Sequence, residues 1–94
     1  MTQDVSAARI LVRGRVQGVG FRFYTEEKAR QLGLHGWVRN CPDGDVEAYA
    51  EGPRLDIEEL IRTLHQGPPM ARIQDISVDW LTPEGRHSGF SIAP

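Results

Sequence analysis

A glycine-rich segment, "VQGVGFR" from Val16 to Arg22, combines residue types that suit the binding of an anion. Gly18 and Gly20 allow backbone conformations that other residues rarely adopt. A glycine-rich turn that leads into the N-terminus of a helix directs several backbone N–H groups toward one point, where the helix dipole adds partial positive charge. Arg22, in the first helical turn, can bind two oxygens of one phosphate through its planar guanidinium. The segment therefore predicts a site for a phosphate-sized anion.

Other interpretations of this loop depend on the details of known motifs. A Walker-type loop ends in Gly-Lys-Ser/Thr, whereas this loop ends in Gly-Phe-Arg, and a dinucleotide-binding fingerprint needs a third glycine where Phe23 stands. The segment 17–24 partly matches the aromatic octamer of RNA-binding domains, but that octamer lies on a central strand, and this segment lies between a strand and a helix. A plain glycine turn that packs a helix closely on a strand explains the same residues, and the residues alone leave that interpretation open.

The hydrophobic periodicity of the chain predicts the elements that position the loop. The first strand alternates apolar residues with arginines, and each of the two helices has an apolar stripe at helical spacing and is followed by a glycine. A Pro-Asp-Gly turn joins two strands as a hairpin. The predicted elements in chain order are strand 9–16, helix 21–32, strand 36–41, strand 45–51, helix 53–66, strand 73–81 and a short edge strand 89–92.

This order is β-α-β-β-α-β with a possible terminal strand. Two helices cannot cover both faces of such a sheet, so we expect both on one face of an antiparallel sheet. The pattern is the α+β class, in the form of a ferredoxin-like α/β sandwich, a fold that hosts many functions. We expect a flexible leader at 1–8 and a single domain at 9–94, a length that suits one compact unit.

Composition limits the partners and the compartment. The formal net charge is −2, with acids and bases spread along the chain, so no basic arm indicates a nucleic-acid partner. No segment resembles a signal peptide or a membrane span, and the lone Cys41 excludes an internal disulfide framework. No residues show metal-ligand spacing. We therefore expect a cytoplasmic monomer that uses no metal or cofactor and binds neither nucleic acid nor membrane.

Two segments resemble the signatures of the acylphosphatase family. The first is "VRGRVQGVGFR" at 12–22, and the second is "GWVRNCPDGDVEAYAEG" at 36–52. The segment "GPPMARI" at 67–73 is similar to the family's connection into the fourth strand, so the resemblance covers about residues 9–92. It implies hydrolysis of the carboxyl–phosphate bond of acyl phosphates, which yields a carboxylate and inorganic phosphate.

The resemblance also implies roles for individual residues. Arg22 would hold the phosphoryl group through its guanidinium, and Asn40, on the second strand, would orient the attacking water. The phosphate-binding loop would use backbone N–H groups of Gln17, Gly18, Val19, Gly20 and Phe21.

The chemistry of acyl phosphates agrees with so small a set of groups. The leaving carboxylate has a conjugate acid with a pKa of about 4, so at neutral pH it leaves without a general acid. The transition state of phosphoryl transfer is loose, and positioning and charge stabilisation do most of the work. Asn40 is no base, but its amide can accept a hydrogen bond from water and donate one to a phosphoryl oxygen. We therefore expect hydrolysis without a metal ion.

Other reactive or aromatic side chains receive structural interpretations. Cys41 follows Asn40 and would point to the opposite face of the strand, without an activating neighbour. Trp37 and Tyr49 would either pack on the surface or border the acyl group. The histidines share no spacing; they are His35, His65 and His87.

Two rival functions remain open from the sequence. One is a domain directed at carbamoyl phosphate, as in similar modules of larger hydrogenase-maturation proteins. The other is a non-enzymatic module on the same sandwich that binds RNA or small anions.

Overall fold

The computed structural model describes residues 4–94, and it contains each predicted helix and strand with small shifts at the ends. The hairpin strands, both helices and the short terminal strand lie where the periodicity placed them. The elements are β1 (Val5–Arg15), α1 (Phe21–Gln31), β2 (His35–Asn40), β3 (Val46–Pro53), α2 (Arg54–Gln66), β4 (Arg72–Leu81) and β5 (Phe90–Ile92).

The first strand is longer than its alternation predicted. β1 begins at Val5, whereas the sequence predicted a strand from Arg9 and a flexible leader at 1–8. Ala7 and Ala8 are fully buried and pair with both β3 and β4, so the strand extends through small residues that carry little hydrophobic pattern. Residues 1–3 of the predicted leader lie outside the described part of the chain.

The five strands form one sheet in the order β4-β1-β3-β2-β5. The pairs β1–β3, β1–β4 and β2–β3 are antiparallel as predicted, but β5 runs parallel to β2. One row of register partners crosses the sheet through Leu81, Ala7, Glu51 and His35. β4 therefore ends in the same row in which β2 begins. After β4 the chain crosses that end of the sheet, and β5 then runs in the same direction as β2.

Both helices pack on the same face of the sheet, which confirms the α+β ferredoxin-like sandwich. α1 packs on β2 and β5, α2 packs on β1 and β3, and the two helices contact each other. Phe21, Thr25 and Ala29 form the buried stripe of α1 as predicted. The core between the layers also contains Ile10, Val12, Val38, Ala48, Ile57, Leu60, Leu64 and Phe90.

The other face of the sheet, which we call the open face, carries its own buried polar groups. Glu47, Tyr49 and Glu51 on β3 point away from the helices yet are buried. Arg9 and Arg39 cover Glu47 from the neighbouring strands as ion pairs. Residues 82–89, the β4–β5 connection, cover Glu51 through backbone hydrogen bonds.

Neither helix in the described range has the length and apolar composition needed to cross a bilayer.

Candidate active site

The glycine loop joins β1 to α1 and has the backbone conformation that the sequence predicted. Gly18 has φ 75° and Gly20 has φ 79°, and Gly20 is the N-cap of α1 without a side-chain cap. A Cβ atom at either position would meet nothing within 4 Å. The loop therefore requires glycine for its left-handed backbone angles, and the space around it stays open.

Several backbone N–H groups around the loop have no protein acceptor. The first N–H groups of any helix lack an intrahelical partner, and here these include Phe21 and Arg22. Within residues 4–94, the turn hydrogen bonds use none of the N–H groups of residues 18–20, although the Gly20 carbonyl accepts from Tyr24 N at 3.0 Å. The loop and the helix start thus offer a set of free donors where the helix dipole is positive.

Gln17 fixes the loop to the β2–β3 turn. Its Nε2 donates to the carbonyl oxygen of Cys41 at 2.7 Å and to that of Asp45 at 2.9 Å. The Cys41 N–H in turn donates to Asp45 O at 2.8 Å, which closes the turn. Because Cys41 follows Asn40 directly, these bonds set the distance between the loop and Asn40.

The loop, the start of α1 and the end of β2 enclose a concavity of about 140 Å³. Of the predicted site residues, the fold brings together Gly18, Gly20, Phe21, Arg22 and Asn40 on its walls. Gln17 and Val19 do not line it, since Gln17 bonds the β2–β3 turn and Val19 packs against the core. Three lining residues were not predicted, namely Val16, Phe23 and Ile92.

Asn40 carries an unsatisfied oxygen. Within residues 4–94, its Oδ1 is the one buried side-chain oxygen or nitrogen without a hydrogen-bond partner. A buried polar group without a partner costs about 1–3 kcal/mol. Asn40 lines the concavity, so rotation about its χ2 torsion would bring this oxygen to a ligand bound there and compensate the cost.

Arg22 is exposed and makes no ion pair with another residue of the described range. Arg13 and Arg15 lie nearby on β1. Arg13 pairs with Asp75 at 3.0 Å and with Asp45 at 3.6 Å. Neither Arg13 nor Arg15 lines the concavity, so Arg22 is the cation on its walls.

Other reactive or aromatic side chains lie away from the concavity. Cys41 does not line it, and burial together with nearby Glu47 raises the pKa of the Cys41 thiol, which disfavours the nucleophilic thiolate. Trp37 and Tyr49 stack on the open face with ring centroids 6.2 Å apart. No group of three His, Cys, Asp or Glu residues is arranged for a metal ion in the part of the chain that the structure describes.

The segment that partly matches the RNA-binding octamer falls in the loop and the first turn of α1. Its aromatic residues are divided between the core and the helix surface, since Phe21 is buried and Phe23 is exposed. The octamer works by presenting aromatic rings on a central strand. This segment does not provide that platform.

Comparisons with known proteins agree with the fold and give the family. The acylphosphatase family model matches residues 8–92. The chain is 55% identical to an acylphosphatase of Trichormus variabilis over 83 residues, which cover 88% of this chain and 81% of that protein. It is 53% identical to an acylphosphatase of Thermococcus kodakarensis over 85 residues, which cover 90% of this chain and 92% of that protein.

Solved structures give the same result. The fold matches an acylphosphatase from Bacillus subtilis with a TM-score of 0.91 and 40% identity, over 95% of this chain and 99% of that one. It also matches full-length HypF in its phosphate- and nucleotide-bound form with a TM-score of 0.89 and 28% identity, but all of this chain covers only 12% of HypF. With a family model over nearly its whole length and relatives above 50% identity, this chain belongs to the acylphosphatase family.

Proposed function

We propose that the concavity at the start of α1 is the active site, and that Arg22, Asn40 and the loop hydrolyse acyl phosphates there without a metal ion. Hydrolysis of acyl phosphates is the function of the family to which the chain belongs. One observation carries the assignment of the site. Free amide donors and an unpaired arginine line one small concavity together with Asn40, whose buried oxygen has no partner in the described chain.

The cation and the amides bind the phosphoryl group. The Arg22 guanidinium donates to two phosphoryl oxygens, and the N–H groups around Gly18–Phe21 donate to the others. The amide donors are fixed before the substrate arrives, because the loop is tied to the β2–β3 turn through Gln17. Preorganised donors stabilise the charge that develops on the equatorial oxygens in the transition state.

Asn40 positions the water. Its carboxamide lines the concavity, and the broad, roughly twofold χ2 torsion of Asn lets either Oδ1 or Nδ2 face inward. Oδ1 accepts a hydrogen bond from the attacking water, and Nδ2 donates one to a phosphoryl oxygen. The water oxygen bonds to phosphorus, the bond from phosphorus to the acyl oxygen breaks, and the carboxylate leaves with the electron pair. The proton of the water goes to the phosphate product or to solvent.

The leaving group explains why so few residues suffice. A carboxylate needs no proton at neutral pH, so the reaction requires no general acid. Positive charge at the phosphoryl group comes from Arg22 and the amides. We therefore expect acyl phosphates to be substrates and simple alkyl phosphates to be hydrolysed negligibly, because alkoxides are poor leaving groups.

The test uses purified protein with benzoyl phosphate and an alkyl phosphate, each before and after exhaustive chelation. We expect hydrolysis of benzoyl phosphate to be unchanged by EDTA and hydrolysis of the alkyl phosphate to be negligible. Loss of most activity in EDTA with recovery on adding a divalent ion would contradict the metal-free mechanism. Comparable rates on both substrates would reveal an unassigned proton donor.

Carbamoyl phosphate is the alternative substrate. The two substrates should be compared because the chain is similar to one part of HypF, and modules of this fold therefore also occur within much larger proteins. The ratio of kcat/KM for benzoyl phosphate to that for carbamoyl phosphate separates the two possibilities. A ratio well above one supports a general acylphosphatase, and a ratio well below one supports the carbamoyl-phosphate module.

We also propose that the protein is a cytoplasmic monomer without a nucleic-acid partner. The free Cys41 fits a reducing compartment. On the open face, Arg9 and Arg39 are both ion-paired with Glu47, which lowers the positive charge that they present to a nucleic acid. Light scattering and a gel-shift titration with single-stranded RNA at low salt would test the two claims. A dimer mass or a salt-dependent shift would contradict them.

A further inference from the structure

Two exposed apolar side chains stand at the mouth of the phosphate concavity. Phe23 is 63% exposed and Ile92 is 38% exposed, and both line the concavity together with Gly18, Arg22 and Asn40. Phe23 lies on the solvent side of α1, where helices usually carry polar residues. Neither side chain contributes to the core. Both are therefore available to contact a ligand bound beside Arg22 and Asn40.

The size of the concavity sets where the rest of the substrate must lie. Its volume of about 140 Å³ is well below the roughly 300–1,000 Å³ of pockets that enclose a drug-sized ligand. The concavity thus accommodates a phosphoryl group, and the acyl group must remain at the mouth. The surface there is apolar.

Phe23 and Ile92, the two apolar residues at the mouth, differ in their position and in how much apolar surface they expose. The attacking and leaving oxygens lie on opposite sides of phosphorus, so an acyl group that leaves opposite the water points away from Asn40. Ile92 pairs with Val38, and Ala93 N donates to Val38 O at 2.8 Å, which places Ile92 beside the strand end that carries Asn40. Phe23, on α1, is the larger and the more exposed of the two apolar side chains, so it offers the acyl group the greater apolar contact.

Resting on the active site assigned above, we propose that Phe23 is the specificity-determining contact for the acyl group, and that it favours acyl phosphates with a flat apolar group next to the carboxyl carbon. An aromatic acyl group packs its face or edge on the Phe23 ring, whereas an acetyl group is too small to cover it. The contact exists in the ground state and in the transition state, so its loss lowers kcat/KM for the larger substrate.

The surface beyond Phe23 limits how far this preference extends. A shallow groove of about 350 Å³ continues from Phe23 along α1, and its other lining residues are Glu26, Glu27, Arg30 and Gln31. Arg30 and Glu26 form an ion pair there at 3.2 Å. The side chains beyond Phe23 end in charged or amide groups, which a long acyl group would meet past the first ring, and the open side imposes no upper limit on acyl size.

The experiment compares benzoyl phosphate with acetyl phosphate in five proteins: the wild type, Phe23→Ala, Phe23→Tyr, Ile92→Ala and Leu55→Ala. Leu55 is a matched control, because it is an apolar side chain on the other helix, 77% exposed and outside the concavity. Dividing each variant's kcat/KM by that of the wild type for the same substrate removes the intrinsic reactivity of the two substrates. Circular dichroism verifies the fold; Ala is a better helix former than Phe, so α1 should persist.

We expect Phe23→Ala to lower kcat/KM for benzoyl phosphate roughly two- to tenfold more than for acetyl phosphate. Phe23→Tyr should keep the benzoyl preference because it keeps the ring, and Leu55→Ala should match the wild type on both substrates. The inhibition constant of inorganic phosphate should stay unchanged in Phe23→Ala, since phosphate lacks an acyl group.

Two results would overturn the assignment of Phe23. If Phe23→Ala changes both substrates equally, the ring does not contact the acyl group. If Ile92→Ala alone shifts the benzoyl-to-acetyl ratio, the acyl group lies on the Asn40 side. Failure of the wild type to hydrolyse either substrate would instead contradict the active site itself, so the two failures are distinguishable.

Discussion

Two buried polar groups on the β2–β3 hairpin have opposite surroundings. The Glu51 carboxylate, on β3, accepts hydrogen bonds at one oxygen from Tyr49 Oη at 2.5 Å, Glu84 N at 2.5 Å and Gly85 N at 3.0 Å. Oδ1 of Asn40, at the end of β2, has no partner within residues 4–94. One oxygen is saturated by the chain and the other is left unsatisfied by it.

The difference separates structure from function in this small domain. Around Glu51 the donors come from a neighbouring side chain and from the β4–β5 connection, so the carboxylate holds that connection on the open face. Around Asn40 the exposed amides of the loop and the exposed Arg22 also have no partner within the described chain. The one buried oxygen without a partner thus lies on a residue beside a set of free donors, and this juxtaposition is the basis of the proposed phosphoryl site.

Removal of the unsatisfied amide should produce the largest effect. We expect Asn40→Ala to lower kcat for benzoyl phosphate on the order of 10²–10³-fold, the usual cost of losing one preorganised positioning group. The free energy of unfolding should rise by up to about 1–3 kcal/mol, because the substitution removes a buried oxygen that has no partner within residues 4–94. Steady-state kinetics and urea titration measure the two quantities.

Phosphate inhibition completes that measurement. The inhibition constant of inorganic phosphate should stay near that of the wild type in Asn40→Ala and rise strongly in Arg22→Ala, since Arg22 binds the phosphoryl oxygens directly. Near-normal kcat in Asn40→Ala, or a loss of phosphate binding as large as that in Arg22→Ala, would contradict the water-positioning role.

Removal of the Glu51 carboxylate should lower stability and leave activity nearly unchanged. Glu51→Ala leaves Tyr49 Oη and Gly85 N without their acceptor, whereas Glu84 N keeps Tyr49 Oη at 3.1 Å. We expect the free energy of unfolding to fall by about 2–3 kcal/mol while kcat stays near that of the wild type. Glu51→Gln is the matched variant, because it keeps one acceptor oxygen and should lose less. An equal loss of kcat and stability in Glu51→Ala would show that the open face and the site are coupled.

The same carboxylate should make stability depend on pH. Burial raises the pKa of Glu51, but the hydrogen bonds from Tyr49, Gly85 and Glu84 outweigh burial and hold it below its ordinary value. A lowered folded pKa means that the contribution is present above the unfolded pKa of about 4.3 and is lost as pH falls through the folded pKa. Acid titrations of unfolding should lose this component in Glu51→Gln; an unchanged acid slope would contradict it.

Phosphate bound by the glycine loop and Arg22 should stabilise the protein. Inorganic phosphate at a hundredfold excess over Kd should add about 2.7 kcal/mol to the free energy of unfolding, because the loop exists only in the folded state. Arg22→Ala should remove most of this gain, and Arg62→Ala, an exposed arginine paired with Glu59 on α2, should keep it. An equal gain in wild type and Arg22→Ala would place the anion elsewhere.

Substitution of either of two glycines with similar backbone angles should have the smallest effect on stability. The two substitutions should differ in their effect on activity. Gly20, in the loop, has φ 79°, and Gly85, in the β4–β5 connection, has φ 73°; a Cβ atom would meet nothing within 4 Å at either. Both Gly20→Ala and Gly85→Ala should cost roughly 1–2 kcal/mol in stability through the same backbone strain. Only Gly20→Ala should also lower kcat/KM, so equal activities would contradict the role of the loop.

Local patterns in the sequence determined the elements and the loop. Gly18 and Gly20 before a helical stripe predict a left-handed turn at a helix start, because glycine is the residue that adopts such angles without strain. The alternation and helical spacing predicted the sandwich, which the sheet order and the structural neighbours confirm. The family also follows from the sequence, since its signatures are local segments.

Only the tertiary structure decided what surrounds the loop. The partners of Gln17 belong to a turn distant in sequence, and Ile92 reaches the concavity because β5 crosses to run parallel to β2. The alternation of β3 predicted one buried face, yet Glu47 and Glu51 on the other face are buried too, because arginines and the β4–β5 connection cover them. These are contacts between residues far apart in the chain. Sequence periodicity records which face of an element is apolar, and it carries no information on which distant group covers that face.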